Sequence, residues 1–221
     1  MQLSKRLKNI FYRILFCFLC CFFVAQSAIA KKHVISEHVY TVKIFVDETI
    51  SLLKSTKITN KQKRQAIIDK YKSNIDFVWI AKNALGRMYL QLSEEERNVY
   101  IDEFTKFFIY TWLPKLVYDG KSKIDVKVLD KSVKITDTDE NVTLLIKIGK
   151  SEKYKIILRT RISKDGKFQV LNLSFEGIDL MSSYKAQFSN YIEEHKNNPK
   201  SIITYLKLQN KNKKNFVDFK C

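Results

Sequence analysis

The chain has 221 residues, of which 45% are hydrophobic, and its formal net charge at pH 7 is +17. This length suits one domain with a substantial core better than two domains. The positive charge favours nucleic acid, anionic lipid or an acidic protein as a partner. No basic stripe interleaved with aromatic residues marks a nucleic-acid surface, and Lys, Ile and Asn are abundant throughout, so the charge alone gives only weak support for contact with anionic membranes.

Residues 1–30 have the pattern of an export signal. A basic segment ending at Arg13 precedes the apolar run Ile14–Ala25, and Ala28–Ala30 forms a small-x-small cleavage site. The run is short for a transmembrane helix, although an uncleaved anchor remains the alternative. We therefore expect a mature chain from residue 31, with 36 basic and 23 acidic residues. Cys221 is then the one cysteine left, which excludes an internal disulfide.

Helical periodicity dominates the sequence before residue 119. It predicts a first helix over 36–56 and a second that is capped by Asn60 and runs to Lys72. A third helix is expected to be capped by Asp76, to run to Leu85 and to end at Gly86. A fourth is expected to start at Glu94, after a capping box formed by Ser93 and Glu96. Pro114 is expected to kink or end the last of these. Its aromatic residues Tyr100, Phe104, Phe108 and Trp112 recur every four positions, a spacing that is typical of core. A second apolar face at Ile101 and Phe107 makes the helix wider than one sheet contact needs.

From Ile124 the apolar residues alternate with polar ones, which predicts β-strands. The predicted strands lie around 124–135, 142–148 and 154–162 and over Phe168–Phe175, with turns at Gly149-Lys150 and Asp165-Gly166. These features indicate an antiparallel meander with one buried face and one basic, solvated face that carries Arg159 and Arg161. The last strand is apolar on both faces, so we expect it to be covered on both. The acidic residues Asp137, Asp139 and Glu140 read as a solvated loop.

The segment 168–191 is expected to close the core. Its strand turns at Gly177 into an amphipathic helix, predicted over Leu180–Glu194, with Met181, Tyr184, Phe188 and Tyr191 on one face. Asn198-Pro199 begins a last helix, and residues 210–221 read as a polar, frayed tail.

The motifs of several enzyme classes are missing from the sequence. It contains no GxSxG, P-loop, GxGxxG or HExxH, and no Cys/His cluster suited to zinc. Its histidines are His33 and His38 near the expected new N-terminus and His195 in a late helix. We therefore expect no enzyme activity, no metal and no cofactor.

Two groups of motifs resemble a known family. FEGIDL at 175–180 followed by YKAQF at 184–188 resembles the VEGISL…YRxQF signature of the MlaC-type periplasmic phospholipid carriers, also called the toluene-tolerance family. Residues 75–81, LGR at 85–87, and 93–97 with Phe104 resemble its FDFxxIA…LGR…TxEQRxxFxxxF segment. The similarity covers residues 44–208. The chain departs from the family's pattern at three positions. Lys185 replaces the Arg that is usual in the family, Asn172 replaces an Asp that is frequent there, and Tyr89 lies near the position of a usual Trp.

The resemblance implies a soluble, monomeric periplasmic carrier that shuttles glycerophospholipid between outer and inner membranes and so maintains outer-membrane lipid asymmetry. It implies an α+β fold, in which a twisted antiparallel sheet of four to five strands packs against N-terminal and C-terminal helices around an apolar cavity. The carrier domain would span 31–209. The implied partners are an outer-membrane lipoprotein–porin complex and an inner-membrane MCE-domain ABC transporter.

On this reading the acyl chains lie against apolar side chains of both halves of the chain. The expected lining is Ile80, Leu85, Met88, Phe104, Phe108, Trp112, Leu144, Ile146, Ile156, Leu158, Val170, Leu173 and Tyr184. Plain core packing is the alternative for each of them. Arg87 is expected either near the mouth, in contact with the headgroup phosphate, or in a surface ion pair.

Two other functions stay open on the sequence. One is an envelope adaptor or scaffold with a solid core, acting through the basic sheet face at Arg159 and Arg161. The other is a small secreted hydrolase that depends on His195.

Overall fold

A computed structural model describes residues 35–116, 124–148 and 152–217, which belong to one compact unit. The predicted signal, the Gly149-Lys150 turn and Cys221 lie outside these residues. Within the described part of the chain, no helix is long and apolar enough to cross a membrane.

The helices follow the predicted order. In the described ranges they are α1 (Glu37–Lys54), α2 (Asn60–Asn74), α3 (Phe77–Leu85), a 3₁₀ helix (Gly86–Gln91), α4 (Glu94–Leu116), α5 (Leu180–Glu194) and α6 (Ser201–Val217). The 3₁₀ helix was not predicted, because its sequence offers no periodicity long enough to detect.

Local capping explains where the helices begin and end. The Asp76 carboxylate accepts a hydrogen bond from the Trp79 amide at 2.9 Å, and Gly86 ends α3 with a φ of 60°. The Ser93 hydroxyl and the Glu96 carboxylate each accept from the other's amide, which confirms the predicted capping box. The predicted cap of α2 was wrong by one residue. Thr59, paired with Gln62, takes that position.

Two helices are longer than the sequence suggested. Helix α4 continues through Pro114 to Leu116, so the proline does not end it. Helix α6 continues to Val217, so residues 210–217 are helical rather than a frayed tail. Asn210 helps to hold this extension, because its side-chain amide is buried and donates to the Glu103 carbonyl at 2.9 Å and to the Glu103 carboxylate at 2.7 Å.

The strands form one antiparallel sheet in the order β1-β2-β3-β4-β5, as the predicted meander requires. They are β1 (Ile124–Lys134), β2 (Asp139–Ile148), β3 (Glu152–Ile162), β4 (Phe168–Phe175) and β5 (Ile178–Asp179). The two-residue β5 was not predicted. Glu176 and Gly177 both have positive φ, 49° and 82°, and turn β4 tightly onto it.

Helix α1 lies across one face of the sheet. Val39, Val42 and Val46 pack there against buried residues of four strands: Val128, Val142, Leu144, Leu158 and Val170. The strand β4 is covered on both sides, as predicted, since the adjacent Val170 and Leu171 are 6% and 0% exposed. The structure is therefore an α+β fold with helices packed on the sheet.

The expectation of a solvated acidic loop was wrong for Asp139, which is fully buried. Its carboxylate accepts hydrogen bonds from Arg159 at 2.8 and 3.2 Å and from Arg161 at 2.7 and 3.1 Å. Both arginines therefore serve this ion pair instead of lying free on a basic face. Burial raises the pKa of Asp139, but the hydrogen bonds from Arg161, Arg159 and Thr138 outweigh it and bring the pKa down to about 2.

A second polar cluster joins the start of α1 to the sheet. The buried His38 is bonded through Nδ1 to the Thr160 hydroxyl at 2.8 Å, and that hydroxyl donates to the Glu140 carbonyl at 3.1 Å. Nδ1 therefore carries the hydrogen. The Glu140 carboxylate accepts from the Ser132 hydroxyl at 2.5 Å. His38 is thus a structural residue of the interior, not a peripheral one.

We predict that Asp139→Ala lowers the free energy of unfolding at pH 7 by about 3 kcal/mol, because it removes the carboxylate that pairs both arginines. In the wild type, the depressed pKa contributes about 2 kcal/mol that is present above the ordinary value of 3.8 and disappears as the pH falls towards 2. Urea unfolding between pH 2 and 7 should show this acid-dependent contribution in the wild type and not in the variant.

The matched control is Asp137→Ala. Asp137 lies on the same turn but is 98% exposed and pairs with the exposed Lys134. Its replacement should leave both the stability and the acid dependence within experimental error of the wild type. Equal losses in the two variants would contradict the role given to Asp139.

Candidate functional site

The interior of the protein consists of two apolar clusters. The first, here called the helix cluster, combines buried residues of α2 to α6 and the 3₁₀ helix, among them Ile67, Ile80, Phe104, Phe188 and Leu206. The second, here called the sheet cluster, lies between α1 and the sheet. The described residues contain no cluster of His, Cys, Asp and Glu that could hold a metal ion.

Aromatic rings fill the centre of the helix cluster. Phe104 is fully buried, and its ring lies 5.5 Å from Tyr184, 6.1 Å from both Tyr100 and Phe188, and 6.3 Å from Phe108 between ring centroids. Its contacts with Tyr184 and Phe188 are edge-to-face, an arrangement that aromatic rings prefer. The aromatic repeat of α4 therefore packs against α5 and within α4 itself.

One hydrogen bond spans this aromatic layer. The Trp112 indole Nε1–H donates to the Tyr184 hydroxyl at 2.9 Å. Tyr184 is 5% exposed, whereas Trp112 is only partly buried. Burial raises the pKa of Tyr184 to about 12, although the hydrogen bond from Trp112 opposes the increase. Tyr184 thus stays neutral, and its polar end is accommodated inside an apolar region.

Pairing across the strands places the expected sheet residues on one face. Leu144 pairs with Ile156, Leu158 pairs with both Val142 and Leu173, and Val170 pairs with Thr160. Directly paired residues of an antiparallel sheet share a face. Val128 of β1 pairs with Leu144 and continues this face, which is therefore apolar over four strands and carries the sheet cluster.

The apolar face extends beyond the part that α1 buries. Val126, Ile146, Ile156 and Leu173 are only partly buried, and Phe175 at the far end of β4 is 37% exposed. Ile146 pairs with Val126 on one side and with Tyr154 on the other. We call these partly buried residues the open end of the sheet face.

Ile75 joins the two clusters. It packs against both of them, and it forms a parallel bridge with Val170. The amide of Asp76 donates to the Val170 carbonyl at 3.0 Å, so the start of α3 is fixed to β4 by backbone. Ile75 was missing from the predicted lining. An apolar residue directly before an N-cap is a signal that could have found it, since it commonly packs on its own helix.

The predicted lining residues divide between these clusters. The helix cluster holds Ile80, Leu85, Met88, Phe104, Phe108, Trp112 and Tyr184, and the sheet cluster holds Leu144, Ile156, Leu158, Val170 and Leu173. Ile146 lies on the same sheet face, at the open end. Partly buried members, which have surface left to offer, are Met88, Trp112, Ile146, Ile156 and Leu173.

Arg87 lies apart from both clusters. It is exposed on the 3₁₀ helix, and its guanidinium makes no ion pair with any described residue. The alternative of a surface ion pair is therefore not realised within the described ranges. Arg97 is the arginine that stabilises this segment, by donating to the carbonyls of Tyr89 at 3.1 Å and Leu90 at 2.9 Å.

The two histidines in the described ranges have structural partners. His38 is bonded to Thr160, as above. His195 follows α5, where its Nδ1 lies 2.7 Å from the Tyr191 carbonyl and its ring stacks on the Tyr191 ring.

The two apolar clusters together offer a large apolar surface with a few hydroxyl and indole groups.

A family model described as MlaC protein matches residues 43–208, which is more than half of the chain. No curated protein matches this chain. Among solved structures, one described as the phospholipid-binding protein from Ralstonia solanacearum in complex with a phospholipid matches with a TM-score of 0.68. The sequence identity is 23%, and the match covers 80% of this chain and 99% of the other. This likeness establishes the fold.

We predict that Phe104→Ala lowers the free energy of unfolding by about 3–5 kcal/mol, because it leaves a cavity among four aromatic rings. Phe175→Ala is the matched control, since the same side chain at 37% exposure loses less buried surface on truncation. We expect a loss near 1 kcal/mol there. Urea unfolding measures both. Similar losses would show that Phe104 is not the centre of the packing.

Proposed function

The chain belongs to the MlaC family, and on this basis we propose that it binds a phospholipid through its acyl chains and carries it through water. The observation that carries this proposal is the open end of the sheet face. There the apolar surface continues past α1, and large apolar side chains such as Ile146 and Ile156 remain only partly buried. The phospholipid bound by the Ralstonia solanacearum protein, which has the same fold, supports the choice of ligand.

The energetics of lipid transfer explain why such a surface is useful. Exposing a methylene group to water costs about 0.8 kcal/mol, so exposing the tens of methylenes of two acyl chains costs on the order of 20 kcal/mol. A protein that covers the chains with apolar side chains removes most of this cost. The headgroup can stay in water, so the protein needs no catalytic group for the task.

We propose that the partly buried residues of both clusters contact the acyl chains. Ile146, Ile156 and Leu173 offer surface from the sheet, and Met88 and Trp112 offer it from the helices. The fully buried members of the expected lining, such as Phe104, would support these residues from behind. Arg87 is exposed and makes no ion pair with a described residue, so it is free to contact a headgroup phosphate.

We further propose that the chain is exported by its N-terminal segment to the periplasm of a Gram-negative envelope. There it would shuttle phospholipid between the outer and inner membranes and so maintain outer-membrane lipid asymmetry. The expected partners are an outer-membrane lipoprotein–porin complex and an inner-membrane MCE-domain ABC transporter. Membership of the MlaC family supports this assignment.

Ile146→Asn should abolish phospholipid binding while the protein still folds, because a polar amide would then face the acyl chains at a partly exposed position. Leu158→Asn is less suitable, since Leu158 is 7% exposed and an amide there would also destabilise the fold. The measurement is organic extraction of detergent-free protein, followed by mass spectrometry of the extract. Wild-type protein should yield about one phospholipid per chain, and Ile146→Asn almost none.

Leu145→Asn is the matched control. It lies next to Ile146 on β2 but on the opposite face of the sheet, and it is 42% exposed. It should retain wild-type lipid content. Circular dichroism and thermal unfolding should show that both variants are folded. Equal lipid content in the two variants would remove the open end of the sheet face from the binding site.

Carriage is tested separately by lipid transfer. The protein should speed the movement of a fluorescent phospholipid from donor to acceptor vesicles, and Ile146→Asn should reduce the rate to that of vesicles alone. Transfer by the variant at the wild-type rate would contradict carriage through this site, whatever the lipid content of the purified protein.

A further inference from the structure

The face of the sheet opposite the sheet cluster carries a group of lysines. Lys127 and Lys155 flank Leu145 in one row across three strands, and Lys147 and Lys153 are paired in the next row. Neighbouring strands lie about 4.8 Å apart, and alternate residues of a strand about 6.7 Å apart. Leu145 thus lies between two lysines in its own row and beside two more in the adjacent row, on a surface three strands wide. We call Lys127, Lys147, Lys153, Lys155 and Leu145 the lysine platform.

The platform is exposed and its charges are not neutralised by the described residues. All four lysines are exposed, Leu145 is 42% exposed, and none of the four forms an ion pair with a described carboxylate. Asp125, across from Lys147, is the acidic residue in the two rows. The nearby Glu176 carboxylate accepts from the Lys155 backbone amide rather than from its ammonium. The platform therefore presents a net positive charge.

The rest of this sheet face is used differently. Farther along β3, Arg159 and Arg161 are bonded to the buried Asp139, and Arg159 lies over the Trp79 ring at 5.6 Å from its centre. Those two cations are therefore committed to internal contacts. The four platform lysines are not, so they stay available to an external partner.

We propose that the lysine platform docks the protein on an anionic phospholipid bilayer. Lysine side chains can lay their apolar stems on the sheet and extend their ammonium groups to lipid phosphates. Leu145, in the middle of them, can enter the headgroup layer as a small apolar contact. A bilayer is a wide negative surface, which matches an exposed sheet face with four unneutralised lysines better than a small anion does.

This docking goes beyond lipid carriage and involves the other face of the sheet. Ile146, in the proposed cargo site, lies between the platform residues Leu145 and Lys147 along β2, and its side chain points the opposite way. Adsorption to a membrane and binding of a single lipid molecule can therefore be lost independently. Changes on one face should leave the other function intact.

The test is co-sedimentation with vesicles at low salt. Detergent-free protein is mixed with vesicles of phosphatidylethanolamine and phosphatidylglycerol, or of phosphatidylcholine alone. The variant Lys127→Gln/Lys147→Gln/Lys153→Gln/Lys155→Gln removes the platform charge. The control Lys61→Gln/Lys72→Gln/Lys207→Gln/Lys211→Gln removes four exposed helical lysines and gives the same net charge.

We expect binding to the anionic vesicles, weakening as salt increases, and little binding to phosphatidylcholine. Each lysine near an anionic surface contributes about fivefold to the binding constant, so the platform variant, which loses four lysines, should bind about 600-fold more weakly. The control should lose at most about fivefold. Both variants should retain wild-type lipid content by extraction.

Equal losses in the two quadruple variants would overturn the proposal, because net charge alone would then explain adsorption. Strong binding to phosphatidylcholine would overturn it in favour of apolar adsorption. Absence of binding to anionic vesicles would also overturn it and would leave an acidic protein as the partner of this face. A wild-type protein that holds no phospholipid but adsorbs through the platform would contradict the proposed carriage alone.

Discussion

The backbone junction between α3 and β4 connects the two halves of the protein. Ile75 bridges Val170 in parallel, and the next amide, that of Asp76, donates to the same residue's carbonyl. Asp76 also caps α3, so one residue both starts the helix and fixes it to the sheet. Because the Ile75 side chain packs on both apolar clusters, movement of this junction would separate the helix cluster from the sheet cluster. The proposed cargo surface draws on both.

Charge is distributed over the sheet in two distinct ways. Near one end of β3, two arginines are needed to compensate a fully buried carboxylate, and they are lost as recognition groups. At the other end, lysines flank the exposed Leu145 in its own row and occupy the adjacent row, and they form no ion pair with a described acidic residue. A large positive charge therefore does not make every basic residue a contact for a partner. The buried Asp139 binds Arg159 and Arg161, so these two arginines are not available to a partner. An envelope adaptor acting through the basic face of the sheet would have needed them.

Much of the fold could be predicted from local patterns. The Asp76 cap, the Ser93/Glu96 box and the alternation in β2 and β3 each act within a few residues, so they are readable from sequence. The burial of Asp139 was not readable, because it depends on two arginines that lie twenty or more residues away on another strand. The extension of α6 was missed for the same reason, since Asn210 finds its partner in Glu103 on a different helix.

The site was predictable to a similar degree. Residue type and strand register together place Leu144, Ile156 and Leu158 on one face, because pairing follows from short turns. Which of these residues keep exposed surface depends on where α1 crosses the sheet, and periodicity contains no information on that. The sequence therefore predicted an apolar lining as a single group. The structure divides it into two clusters joined at Ile75, with free surface at the open end of the sheet face.

The most direct test of phospholipid binding is native mass spectrometry of the protein purified without detergent. Gentle ionisation should give one dominant species heavier than the chain by the mass of one phospholipid, and collisional activation should release that lipid intact. A folded protein whose measured mass equals that of the polypeptide alone, even after incubation with phospholipid vesicles, would contradict phospholipid binding.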